Sequence, residues 1–326
     1  MKAKILSMLR ETDGYISGQQ LCEEFHVSRT AVWKVIEQLK TEGYKIEAVR
    51  NRGYHLEETP DVMSKAEIES LISTKWAGCG VLYFPEIDST NTYAKRLGDG
   101  GADHGTLVVS DKQTAGKGRR GRAWESPSGS SIYMSILLRP EITPNQAPML
   151  TLVMAQSVAQ AIRKITGEEA MIKWPNDIVL NKKKICGMLT EMSTEIAWIN
   201  YVVIGVGINV NTESFPEELN KKATSLYLES GRKIQRSQLI AESMRQFEHY
   251  YELFIETGNL SAMQEDYNRL LVNRDRDVRI MEPGNEYNGH AIGINETGEL
   301  LVCKEDGQIA EIYAGEVSVR GIYGYV

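Results

Sequence analysis

Apolar residues recur three and four apart through the first part of the chain. Ile5, Leu6 and Leu9 form one stripe, Leu21 and Phe25 begin a second, and Ala31, Val32, Val35, Ile36 and Leu39 make a third. That spacing predicts three short helices, each burying one face. Ser17 followed by Gln20 has the pattern of a capping box, and Ser28 stands where it would cap the third helix. The period then shortens to two over 43–49 and 54–56, around the turn Arg50-Asn51-Arg52-Gly53, which predicts a β-hairpin. Helices joined by a tight turn and followed by a hairpin make a winged helix-turn-helix, with 1–60 as its domain. Residues 57–65 contain Pro60, lack periodicity and read as a linker.

Strands and helices mix thereafter. Strands are expected over 81–84, 106–109, 132–138 and 201–210, a largely buried helix over 148–166, and a long amphipathic helix over 236–257. Residues 66–271 therefore read as a mixed α/β domain with a substantial sheet. Short strands at 278–281, 290–294, 300–303 and 317–320, separated by Gly turns, predict a small SH3-like barrel over 272–326. The fold class is α+β multidomain.

The length of 326 residues suits two or three such domains. Four scattered cysteines with no CxxC pair give neither a disulfide framework nor a zinc ribbon, and fit a reducing, cytoplasmic setting. No run of apolar residues is long enough to span a membrane. The formal net charge of −7 argues against coating nucleic acid with the whole surface. Two basic islands stand out locally. Residues 27–52 carry six basic against three acidic residues, and 110–124 hold Lys112, Lys117, Arg119, Arg120 and Arg122 against Asp111 alone. Two separate anion sites are expected.

On the first island, Ser28, Arg29, Thr30, Trp33 and Lys34 lie early on the third helix, where base edges are met. Arg50 and Arg52 sit at the wing tip, placed for phosphates. A small helical domain that binds protein would have a similar helix pattern; the wing and the local positive charge favour DNA.

Elsewhere polar residues interrupt apolar runs. Asp88-Ser89-Thr90-Asn91 ends a strand and has the composition of a helix cap. The segment 113–124, QTAGKGRRGRAW, combines glycines that admit close approach of an anion with cations and an aromatic ring for stacking. It fits neither a Walker A loop nor a Rossmann fingerprint, and a solvated basic loop has the same composition. Lys173-Trp174-Pro175-Asn176-Asp177 sets a cation, an amide and a carboxylate around a proline. In the run Lys182-Lys183-Lys184, the apolar Ile185 and Cys186 that follow distinguish Lys184 as the inward-pointing lysine.

These segments in this order, with GVGINVN at 205–211, resemble the biotin–protein ligase family. The similarity covers essentially the whole chain. It is greatest to the bifunctional members, the biotin operon repressors, in which a winged helix precedes a class II synthetase-like ligase domain and an SH3-like domain. The resemblance implies ATP and biotin as substrates with Mg²⁺, and transfer of biotin through biotinyl-5′-adenylate to a lysine of a biotin carboxyl carrier domain. It places Ser89, Thr90, Asn91 and Gln113 at the biotin headgroup, and Lys117, Gly118 and Arg119 on a loop over the biotin carboxylate and the ATP phosphates. It makes Lys184 the buried lysine touching both anions, and sets Trp124 against adenine. Asn176, Asp177 and Asn209 fall in the nucleotide and magnesium region, with Asp177 the metal-side carboxylate and a candidate to orient the incoming lysine. Catalytic weight falls on Lys184, Arg119, Lys117 and Asp177.

Many relatives carry Arg where this chain has Lys117, which keeps the charge but loses the bidentate fork. The resemblance further implies a homodimer when adenylate is bound, and operator binding through the N-terminal domain. Two other readings are a lipoate–protein ligase-like enzyme and a small-molecule-sensing repressor without ligase activity.

Overall fold

The computed structural model describes residues 1–195, 198–281, 286–313 and 318–321. The chain divides into two compact units, Met1–Ser73 with Gln235–Ala241, and Thr74–Ile234 with Glu242–Val326.

In the first unit, α1 (Lys2–Glu11), α2 (Gly18–Phe25) and α3 (Arg29–Thr41) precede a hairpin of β1 (Lys45–Val49) and β2 (Gly53–Glu58). The Ser17–Gln20 capping box forms in both directions, at 3.1 and 2.9 Å, so two otherwise unpaired helix-end donors are satisfied. The chain leaves α2 through His26 in the left-handed region (φ 51°), and Ser28 Oγ accepts the Ala31 N–H at 3.2 Å to open α3. The predicted apolar stripes converge on one core, in which Ile5, Leu6, Leu21, Ile36 and Leu39 are fully buried.

The hairpin has a third partner that periodicity does not show. Ile16 and Tyr54 exchange N–H···O bonds of 2.9 Å each, antiparallel. Gly53 permits this approach, since a Cβ there would lie 2.0 Å from the Ile16 carbonyl oxygen, and its φ is +116°.

The stretch expected to be a free linker is partly ordered by hydrogen bonds. β2 runs on to Glu58, and Asp61 accepts the Arg236 backbone N–H at 3.0 Å and its Nε–H at 2.9 Å. Next, α4 (Lys65–Leu71) packs on α1 through Glu67, which is only 2% exposed. Its carboxylate accepts Arg10 Nη2 at 2.6 and 2.7 Å and the Tyr44 hydroxyl. A buried charge is tolerable only with such partners. Glu67→Ala is therefore expected to destabilise the N-terminal unit by about 3 kcal/mol, by leaving the Arg10 charge unpaired; urea unfolding followed by circular dichroism measures it.

The second unit is built on a seven-stranded sheet in the order β3-β4-β5-β9-β8-β7-β6. Its elements are β3 (Val81–Phe84), α5 (Thr90–Asp99), β4 (Leu107–Ser110), β5 (Ser131–Leu138), α6 (Met149–Thr166), β6 (Met171–Lys173), β7 (Asp177–Leu180), β8 (Lys183–Thr194) and β9 (Ile199–Asn209). Only β3 and β4 run parallel; the other neighbours are antiparallel. All of β5 is buried, which explains its near-continuous apolar run. The short α7 (Glu217–Asn220) and α8 (Leu226–Ser230) follow, then α9 (Arg236–Thr257) and α10 (Gln264–Leu270). No helix among the described residues is long and apolar enough to cross a membrane.

The chain ends in a five-stranded antiparallel sheet, ordered β13-β12-β11-β10-β14. These are β10 (Arg276–Met281), β11 (Tyr287–Ile294), β12 (Leu300–Cys303), β13 (Ile309–Ile312) and β14 (Ser318–Gly321). Of the strand expected over 317–320, Val317 lies outside the described residues. β13 went unseen in the apolar pattern because Ile309 faces solvent, so alternation is weak there. Among the described residues β13 and β14 are unpaired sheet edges, so this part is an open sheet consistent with an SH3-like barrel.

Candidate functional site

A cavity of about 910 Å³ opens over the large sheet of the second unit. Ser89, Thr90, Asn91, Gln113, Lys117, Gly118, Arg119, Trp124, Asn176, Asp177, Lys184 and Asn209 all line it. Residues spread over 120 positions of sequence are thus brought to one wall by strand order. Ser28, Arg29, Thr30, Trp33, Lys34, Arg50 and Arg52 lie in the other unit and are solvent-exposed, Trp33 to 53%. Arg29 reaches Gln19 Oε1 at 3.0 Å, and the Arg52 guanidinium stacks 4.5 Å from the Tyr15 ring centroid.

One end of the cavity is lined by buried, uncharged polar side chains. Ser89 caps α5, and the next two residues, Thr90 and Asn91, are buried at the first turn of that helix. Gln113 Oε1 accepts the Thr90 N–H at 2.9 Å, and Gln113 Nε2 donates to Ser126 Oγ at 3.1 Å. Asn91 Nδ2 donates to Leu189 O at 3.2 Å and to Glu191 Oε2 at 2.8 Å. Gly205 on β9 leaves room for this amide, since a Cβ there would lie 2.1 Å from Asn91 Oδ1. The recess offers several amide and hydroxyl groups to a small polar ring.

The other end is cationic. Strand β8 is irregular where Cys186 pairs with Ile178 and Lys184 with Val179, so Ile185 is an extra residue. Such a bulge re-aims the neighbouring side chain. The Lys184 main chain is held on its other side by bonds to Lys222 O and Thr224 N–H. Its Nζ meets Asp177 Oδ1 at 2.5 Å and sits 5.2 Å from the Trp124 ring centroid. Arg119 Nη1 donates to Asn176 Oδ1 at 3.1 Å. Burial, with the neighbouring Arg120 charge, pulls the Arg119 guanidinium pKa below its ordinary value, while Asp177 opposes that shift. Lys117 is exposed at the cavity mouth, where it bridges antiparallel to Ala123.

Two glycines join the ends. Gly187 and Gly207 are cross-strand partners on β8 and β9. A Cβ on Gly207 would lie 2.6 Å from Trp124 Nε1, and one on Gly187 would lie 3.0 Å from Trp124 Cζ3. The indole therefore rests on bare backbone. The loop 116–124 that delivers it folds back on itself, with Gly118 N–H on Arg122 O at 2.7 Å and Trp124 N–H on Gly116 O at 2.9 Å. Arg120 turns this loop in the left-handed region, at φ 58°.

The far wall is tied to the C-terminal sheet. The Trp174–Pro175 bond is cis; Trp174 Nε1 donates to Gly298 O at 3.1 Å and its N–H to Asn273 Oδ1 at 2.9 Å. Val319 of β14 lines the cavity as well.

Sequence reasoning passed over several residues that line the cavity or lie behind its wall. Ser135, the polar residue within the apolar run of β5, is fully buried behind Thr90 and Asn91. Its polarity in that run was the available signal. Gly205 and Gly207 alternate on one face of β9, and period-two glycines signal a face left bare. Glu191 carried no signal, because one acidic residue near the end of a strand reads as solvent-facing.

Comparison with known proteins agrees with this architecture. The pattern of an HTH domain matches 2–55, that of the Biotin/lipoate A/B protein ligase family matches 83–209, and that of the Biotin protein ligase C terminal domain matches 275–320. The chain is 41% identical over 309 residues to the bifunctional ligase/repressor BirA of Bacillus spizizenii, covering 94% of each chain. It is 32% identical over 318 residues to the bifunctional ligase/repressor BirA of Escherichia coli, covering 97% of this chain and 96% of that one. Among solved structures, the biotin protein ligase from Aquifex aeolicus in complex with biotin and ATP superposes with a TM-score of 0.66 at 32% identity, over 74% of this chain and 99% of that one.

Fold and cavity together define a ligase-type catalytic domain carried behind a helix-turn-helix. The chain belongs to the biotin protein ligase family, alongside its bifunctional ligase/repressors.

Gly207→Val is expected to lift Trp124 off the sheet. The near-ultraviolet circular dichroism of the variant should then resemble that of Trp124→Phe in the indole region, with unchanged far-ultraviolet dichroism.

Proposed function

We propose that this protein is an ATP-dependent biotin–protein ligase and a biotin-responsive repressor of biotin genes. The observation that carries the ligase reading is one cavity with a buried, amide-rich recess at one end and Lys184, Arg119 and Trp124 at the other. The ureido ring of biotin occupies the recess between Thr90, Asn91 and Gln113, with Ser89 capping the helix that presents them. Its carboxylate points toward Lys184, and adenine lies against Trp124.

In the first reaction the carboxylate attacks the α-phosphorus of ATP and expels pyrophosphate. Two anions must meet, and unit charges 4 Å apart at an effective dielectric of 20 repel by about 4 kcal/mol. Lys184 is placed to neutralise that repulsion, because its ammonium is held between Asp177 and the Trp124 face. Arg119 is oriented by Asn176, and Lys117 and Gly118 line the cavity beside it.

Asp177 is the carboxylate beside the phosphate end, with the Asn176 and Asn209 amides also lining the cavity. One carboxylate plus phosphate oxygens suits a magnesium ion that arrives with the nucleotide, and when bound it would supply further charge neutralisation at the phosphates. In the second reaction a carrier-domain lysine attacks the mixed anhydride and releases AMP. Asp177 is the group placed to orient that amine. The substrates supply both nucleophiles, so catalysis is positioning and electrostatics.

For the repressor role, adenylate-bound chains pair as a homodimer, setting two helix-turn-helix units on a palindromic operator in the cytoplasm. Trp33, Lys34 and Arg29 are exposed on α3, and Arg50 and Arg52 at the wing tip.

Incubating the protein with biotin, MgATP and a carrier domain should add one biotin mass to the carrier by mass spectrometry. Lys184→Ala should slow pyrophosphate release by roughly 100-fold or more, given the usual cost of removing one transition-state charge partner, while retaining native circular dichroism. Near-normal release would remove Lys184 from this role.

Arg52→Ala should weaken operator binding and flatten its salt dependence by about one unit of log–log slope. Operator titrations with and without biotin and ATP, at several salt concentrations, test both the contact and its dependence on ligand.

A further inference from the structure

Behind the recess lies a chain of polar groups with one carboxylate at its end. Asn91 Nδ2 donates to Glu191 Oε2 at 2.8 Å and to Leu189 O at 3.2 Å, so both of its amide hydrogens are engaged. Turned over, the amide would set its oxygen against a carboxylate and a carbonyl, a repulsive arrangement. Glu191 therefore fixes Asn91 Oδ1 toward Ser135 Oγ, 2.6 Å away. Lys95 Nζ holds the other carboxylate oxygen, Oε1, at 2.6 Å. Burial pushes the Glu191 carboxyl up, but the bonds from Lys95 and Asn91 and the charges of Lys95 and Lys117 outweigh it and hold the pKa below the usual carboxylate value. The group is ionised at neutral pH.

The consequence reaches the cavity through hydroxyls. Ser135 Oγ lies within hydrogen-bond distance of both Asn91 Oδ1 and Thr90 Oγ1, at 2.6 and 2.7 Å, but has one hydrogen to give. Asn91 Oδ1 can only accept, so the Ser135 hydrogen goes there. The Thr90 hydroxyl hydrogen then has two acceptors inside the protein, Ser135 Oγ and Gln113 Oε1 at 3.1 Å. Both lone pairs of Thr90 Oγ1 are then left to accept, and Thr90 lines the cavity. With the Asn91 amide reversed, Ser135 would donate to Thr90 and occupy one of those lone pairs, weakening Thr90 as an acceptor toward the cavity. Glu191 itself does not line the cavity; it acts through Asn91.

We propose that Glu191, held by Lys95, is a positioning residue that sets the polarity of the Asn91–Ser135–Thr90 chain, so that Thr90 presents an acceptor to a ring N–H of the substrate. The inference rests on the biotin reading of the cavity and makes the recess select a cyclic urea over a ring whose N–H is replaced by oxygen.

The test measures adenylate formation by the full-length protein with biotin and with its cyclic carbamate analogue. Biotin turnover by the wild type is the control for the ligase reading itself; without it that reading falls, independently of Glu191. Given that turnover, Glu191→Ala should raise KM for biotin by roughly 10- to 100-fold, the range for leaving one buried polar group mispaired. KM for ATP and kcat should stay within about 3-fold, and the preference for urea over carbamate should shrink in proportion. Glu191→Gln keeps an acceptor for Asn91 and should recover most of the biotin KM. An unchanged biotin KM and preference in Glu191→Ala would overturn the proposal. So would a uniform loss in kcat and both KM values accompanied by a lowered Tm, which marks a role in folding alone.

Discussion

The seating of Trp124 on the backbone of Gly187 and Gly207 is the contact on which the rest of the site depends. A methyl group on either glycine would push into the indole. With the ring down, Lys184 has an aromatic face beside it as well as the Asp177 carboxylate. The same seating anchors one end of the 116–124 loop, whose other members carry the cations Lys117 and Arg119 to the cavity. Two paired glycines on adjacent strands thus create both part of the floor of the cleft and a fixed point for the loop beside it.

Charge is arranged with similar economy. The chain as a whole is acidic, yet cations gather where anions must be held, on the loop and β8 in one unit and on α3 and the wing in the other. Within the cavity the resting cations are not bare. Lys184 has Asp177 and Arg119 has Asn176, so the site avoids an unpaired charge in a partly desolvated space. In the proposed reaction an arriving carboxylate and phosphate would exchange partners with these groups rather than meet isolated cations. Binding and catalysis then draw on charges already oriented, which lowers the reorganisation required during reaction.

Much of this was legible before the structure. Helical and strand periods marked α1 to α3, the wing and α9, and continuous apolar runs marked the almost wholly buried β5 and α6, because burial of either kind leaves its spacing in the sequence. Ser17, Ser28 and Ser89 announced helix starts, since the side chain that satisfies a helix-end N–H belongs to a short set of residue types. Other features left no local mark. The Ile16–Tyr54 bridge, the capture of Asp61 by Arg236 and the burial of Glu67 are long-range contacts between segments whose own patterns are unremarkable. β13 has a solvent-facing isoleucine that blurs its alternation.

The sequence by itself determined which chemistry was available: the glycine–arginine loop, the DSTN and KWPND segments, the lysine before Ile185-Cys186, and family membership through their order. It also determined most of the helical and extended segments, because those depend on neighbours a few residues apart. Only the tertiary structure decided that Lys184 leaves a bulge toward Asp177, that Trp124 lies on two paired glycines, and that Glu191 accepts from the Asn91 amide behind Thr90. Each of these depends on strand register and on distances between residues remote in the chain. No local pattern encodes such distances, since they are fixed by how the sheet as a whole packs.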